Sequence, residues 1–220
     1  MPRWVLAFLG ASLAAQVAWQ ALHDAGSAPE AGLPPAPAAR ALRLASFSEA
    51  EAAARLAMVY LQSYRSPDYR RLIAWLESIL ELDPRSQYPL FAAARVYAET
   101  ADPARSRIAL DFVERQFLRD PNRRWPWLAH AALLAKHRLK DLPLARRYAQ
   151  ALERHAGAGN VPLWASQMEI FILEDMNELE AAKIMIGGLL QSGVLTDPAE
   201  LRFLKQRLEA LESRLAGEKR

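Results

Sequence analysis

The side chains able to do chemistry are few and scattered. Four histidines occur, His23, His130, His137 and His155. His130 and His137 stand seven residues apart, two turns of one helix, and so share a face. A zinc site needs closer spacing and nearby carboxylate or imidazole ligands, which this pair lacks. Glu174 with Asp175, and Glu77 with Glu81, could divide acid and base roles between them. The first pair precedes a turn and the second lies between apolar stripe positions, so both read as solvated. The absence of cysteine excludes thiol catalysis, thiolate metal sites and a disulfide framework. No phosphate-cradling glycine loop, nucleophile elbow or dinucleotide fingerprint is present. No catalytic residue, metal or cofactor is therefore expected.

Charge is distributed unevenly. From Arg115 to His155 there are ten Lys or Arg against three acids, a local sum of +7, whereas the whole chain carries only +3. Such a stretch could attract an anionic ligand, or it could be a solvated face. Within it, Trp125-Pro126-Trp127 follows Arg123-Arg124. Tryptophan with arginine is the combination that anchors protein interfaces.

The N-terminus reads as a membrane signal. Trp4 to Leu22 runs 19 residues without a charge behind Arg3, with Trp4 and Trp19 near its two ends. About 20 apolar residues span a bilayer as one helix, and indole rings favour its headgroup layers. The cation before the segment predicts a cytoplasmic N-terminus and an exported remainder. Ala25-Gly26-Ser27 offers a cleavage site for a signal peptide, but the uncharged run exceeds the usual centre of about 7–15 residues. Length favours an uncleaved anchor over residues 1–24. Pro29, Pro34, Pro35 and Pro37 then make residues 25–46 a tether, extended and poorly packed.

From residue 47 to 220 the apolar pattern is helical and no strand alternation appears. Ser48 to Glu51 forms a capping box ahead of a helix carrying Leu56, Val59, Tyr60 and Tyr64. Pro-containing breaks follow at Ser66-Pro67-Asp68, Asp83-Pro84, Asp102-Pro103 and Asp120-Pro121, and a further helix is read near Pro126–Arg138. Pro162–Met176 and Glu178–Gln191 make a later hairpin, with Gly187-Gly188 attributed to close helix packing. Asp197 caps a last helix entered through Pro198. The prolines at 84 and 121 are 37 residues apart, and fixed spacing of helical hairpins signals a solenoid.

The internal signature resembles the tetratricopeptide repeat. Ala94 and Tyr97 match its first helix, and Ala109, Val113 and Pro121 its second. Trp127 and Ala131, then Ala145, repeat the pattern, and Ala182 fits it more loosely. Small residues let helix axes approach closely at crossings. The period departs from the family's usual length of about 34 residues, and an insertion falls around Ala101–Arg107. The expected fold is all-α: a right-handed α-solenoid of about four hairpins with a C-terminal capping helix, preceded by one transmembrane helix. The resemblance implies a concave groove built from first helices. Mapped onto matching positions, it would use Tyr88, Phe91, Arg95 and Glu99, then Trp125, Leu128 and Lys136. The functional expectation is a non-catalytic scaffold, single-pass in the inner membrane with its domain outside the cytoplasm, holding an extended peptide or helix of a protein partner. The rivals are a soluble periplasmic adaptor released by cleavage and an enzyme acting on an anionic polymer. Nucleic acid is not an expected partner.

Overall fold

The computed structural model describes residues 32–46, 49–64, 68–155, 157 and 159–218. The apolar N-terminal segment, the first part of the tether, Ser48 and Ser66-Pro67 lie outside these residues. Among the described residues there are ten α-helices and no strand, and no helix is long and apolar enough to cross a membrane.

Helix α1 (Ala39–Ser46) precedes a hairpin of α2 (Ala50–Gln62) and α3 (Tyr69–Leu82). The second hairpin begins with α4 (Tyr88–Phe91), which continues as a π-turn over Ala92–Tyr97, and is completed by α5 (Pro103–Arg119). Next come α6 (Pro121–His137) and α7 (Leu142–Glu153). A 3-10 turn (Leu163–Gln167) leads into α8 (Met168–Asp175), whose partner is α9 (Leu179–Gln191). Helix α10 (Pro198–Glu218) packs against α9 at the end. Each second helix touches both its own hairpin partner and the first helix of the following hairpin. The helices thus pack in a repeat-like way, consistent with a helical-repeat fold.

Local chemistry explains the starts of these helices. Asp68 accepts from the amides of Arg70 and Arg71, Asp102 from those of Ala104 and Arg105, and Asp141 from Leu144 N. Asp197 accepts from Ala199 N in the same way. Each carboxylate satisfies amides that have no partner inside the helix. The two backbone bonds hold the Asp68 carboxyl below its ordinary pKa. Pro121 sits at the first position of α6, where a missing amide costs nothing. Helix α6 consequently begins at Pro121, ahead of the start expected near Pro126, and Pro126 lies inside it.

Alanine makes the close crossings. Ala94, Ala109, Ala131, Ala145 and Ala182 are all fully buried. Trp127 and Tyr97 are partly buried against the same core. In α2 the inward side is Ala53, Ala54, Ala57, Met58 and Leu61. Leu56 and Val59 instead stand 57% and 67% exposed, so the large apolar residues of that helix do not form its core stripe. Close packing does not explain Gly187 and Gly188: a Cβ at either would meet nothing within 4 Å.

The proline-bearing stretch also departs from expectation. Over 32–38 it has no regular secondary structure, yet it is packed. Leu33 is buried in the main core, and the carbonyls of Leu33, Pro34 and Pro37 accept from Arg71 Nη1 (2.8 Å), Trp75 Nε1 (2.9 Å) and Ser78 Oγ (3.0 Å). Burying one leucine side chain contributes about 2 kcal/mol, enough to hold a segment that proline has already stiffened. Helix α1 continues the covering by packing on α2 and α3.

Candidate protein-interaction surface

The first helices of successive hairpins present a connected row of side chains. It starts on α2, where Gln62 Nε2 donates to the Tyr88 hydroxyl at 2.7 Å. Tyr88 stacks on Phe91 at 5.8 Å between centroids, and Phe91 meets the edge of Trp127 at 5.9 Å. The Trp127 ring is fixed from below, since its Nε1 donates to Gln87 Oε1 at 2.7 Å. Tyr88 and Phe91 remain 47% and 37% exposed after these contacts. A cleft of about 330 Å³ opens beside them, floored by Met58, Ile79 and Pro89 and walled by Val59 and Tyr88.

The π-turn sets the direction of the side chains beyond Ala93. Ala98 N bonds to Ala93 O, an i to i+5 closure that adds one residue to the turn and rotates the residues after it by about 100°. Arg95 then lies 3.5 Å from His130 Nε2 and 3.6 Å from Glu99 Oε1, while His130 Nε2 is itself 3.6 Å from Glu99. Burial first, and the Arg95 guanidinium second, lower the His130 pKa; Glu99 opposes them. Burial also pushes the nearby Tyr97 phenol up to about 12. Further along, Lys136 Nζ pairs with Asp175 at 2.7 Å beside a small cleft lined by Leu133, Met168 and Phe171. Phe171 contacts Phe203 of α10, and Arg207 lies over its ring while bonded to both oxygens of Glu174.

Of the residues assigned to the groove from the sequence, Tyr88 pairs with Phe91 and Arg95 with Glu99, while Lys136 pairs with Asp175. Leu128 does not belong there: it is fully buried in the main core. Trp125 is half-buried and packs edge-on against Trp164 at 5.5 Å. The sequence reading missed Val59, His130, Leu133 and Phe171. The signal for Val59 lay in the alanines: Ala53, Ala54 and Ala57 mark the buried side of α2, which leaves its larger residues facing outwards.

The basic stretch looks different in three dimensions. Arg115 bonds to Glu77 at 3.1 Å, and Arg147 to Asp111 and Glu114 at 2.7 and 2.9 Å. Arg146 reaches Glu169 and Glu178 at 3.0 and 3.1 Å. With Asp175, all six acids come from outside residues 115–155. Arg138 donates to the carbonyls of Glu99 and Thr100. Counting charge along the chain leaves out these acids, which other helices bring against four of the ten cations, Arg115, Lys136, Arg146 and Arg147.

Comparison of the chain with protein-family models, with curated proteins and with solved structures finds no match. The described residues define an all-α protein with repeat-like helix packing.

Proposed function

We propose that this protein is a tetratricopeptide-like scaffold, a right-handed solenoid whose first-helix face holds a protein partner, and that it performs no reaction of its own. In this reading the apolar segment within residues 1–24 anchors it in the inner membrane, with the helical domain outside the cytoplasm. The observation that carries the proposal is the row from Gln62 through Tyr88 and Phe91 to Trp127. Exposed aromatic rings held rigid by neighbours are the side chains from which interface anchors are made. The charges on the first helices, Arg95 with Glu99 and Lys136 with Asp175, are already paired. Such a surface selects apolar side chains of an extended peptide or amphipathic helix over a strongly charged ligand. Anchoring raises the effective concentration of membrane partners, so modest affinity at this face suffices.

The test is capture of partners by the full chain from native membranes, compared with a Tyr88→Ala/Phe91→Ala double variant. The proposal expects a defined partner lost from the variant at unchanged folding; identical capture by both contradicts it. A reporter fused after Arg220 tests the orientation, and the mass of the mature chain separates an anchored from a cleaved form.

A further inference from the structure

We infer that the outer side of α3 is a binding site for extended proline-rich peptide, and that the chain fills it with its own residues Leu33 to Pro37. The donors Arg71, Trp75 and Ser78 fall at i, i+4 and i+7, one face of one helix. They meet the carbonyls of Leu33, Pro34 and Pro37 in the same order, so the peptide runs parallel to α3. Burial along the segment has a period of three: Gly32, Pro35 and Ala38 are exposed, while Leu33 and Ala36 turn inwards. Three residues per turn is the repeat of the polyproline II helix, which has no internal hydrogen bonds and offers its carbonyls outwards.

The site has the chemistry this ligand requires. Proline lacks an amide proton, so the segment offers chiefly carbonyls and the site must supply the donors. An indole supplies one at the edge of an apolar ring, the pairing by which aromatic-lined grooves take proline-rich chains. The Trp75 ring is held in place from α2 by Tyr60, 5.3 Å away between centroids. Leu33 is the anchor, 1% exposed, and Ala36 packs on the core beside it. Fixed proline φ angles leave little chain freedom to lose on docking. The ligand is therefore Leu-Pro-Pro-x-Pro, and the resident segment is exchangeable for the same sequence offered in trans. This inference is independent of any membrane anchor and of any partner on the first-helix face.

The test uses the full chain and a labelled peptide of residues 30–38. Leu33→Asp weakens the resident segment by placing a charge at the buried anchor position. Fluorescence anisotropy is expected to show saturable binding of the peptide to Leu33→Asp. The unaltered chain is expected to bind at least about tenfold more weakly, because its own segment competes at high effective concentration. Leu33→Asp/Trp75→Phe keeps a ring but loses the donor, and is expected to bind about fivefold more weakly than Leu33→Asp alone. Absence of binding to a folded Leu33→Asp chain, or equal binding with and without the indole donor, overturns the inference. Should Leu33→Asp fail to fold, a second measurement decides. The chain has no cysteine, so Ala36→Cys and Ala38→Cys each introduce a unique thiol. Cys labelling at 36 is expected to be slower than at 38 and to accelerate with millimolar peptide; a rate at 36 indifferent to peptide overturns exchange.

Discussion

Arg124 donates through Nη1 to both the backbone carbonyl and the side-chain Oε1 of Gln116, each at 2.8 Å, across the junction of α5 and α6. Its Nη2 reaches back to Pro84 O at 3.1 Å, so one buried guanidinium joins the end of the first hairpin to the second and third. Arg124→Met is expected to lower stability by about 2–4 kcal/mol, because it leaves buried carbonyls without donors. Denaturant unfolding measures this directly. The Gln116 Nε2 amide is buried with no partner, so Gln116→Glu, which removes that donor and places a carboxylate against Arg124, is expected to cost far less than Arg124→Met.

Close crossings and open faces respond oppositely to added carbon. Ala131 is fully buried on α6, and Ala131→Leu is expected to destabilise by about 1–3 kcal/mol through overpacking. Gly188 lies within α9, where an added Cβ meets nothing. Gly188→Ala is expected to stabilise by about 0.5–1 kcal/mol by restricting the unfolded chain. Thermal midpoints moving in opposite directions confirm the assignment of the two faces; a fall at Gly188→Ala contradicts it.

Protonation of His130 works against folding. Burial and Arg95 lower its pKa in the folded state, so the unfolded chain binds this proton more readily. Stability contributed by neutral His130 is present above the unfolded value of about 6.5 and is lost as pH falls towards the lower folded value. His130→Gln removes that titration. Its unfolding midpoint in urea is expected to fall less than wild type between about pH 7.5 and pH 5, and parallel curves for the two chains contradict the account.

Much of the fold could be read in the residues. The aspartates at 102 and 197 cap helices entered through proline, and the alanines at 94, 109, 131, 145 and 182 are fully buried. The surface was harder to read. Leu56 and Val59 look like core by hydropathy, and only the alanine side of α2, packed on α3, reveals that they face outwards. Arg124 reads as one more cation beside Arg123, although its burial depends on Pro84, about one hairpin earlier in the chain. The docking of Leu33 depends likewise on donors spaced along α3 that no local pattern connects to it.

Val59 separates stability from function. Its side chain is 67% exposed and walls the cleft beside Tyr88. Val59→Asp is expected to change unfolding free energy by less than about 0.5 kcal/mol, yet to abolish partner capture by placing a carboxylate among the apolar side chains of Met58, Ile79 and Pro89. A large loss of stability would show that Val59 supports the fold instead.

The central claim is that the row on the first helices is where a protein partner sits, and site-specific photo-crosslinking in native membranes tests it most directly. With the crosslinker at Phe91 and at Leu133, the account predicts adducts to the same protein, both lost with Val59→Asp or Tyr88→Ala. A crosslinker at Glu81, exposed on α3, is predicted to leave that protein uncaptured. Equal adducts from Glu81 and Phe91, or adducts that survive both substitutions, would contradict the claim.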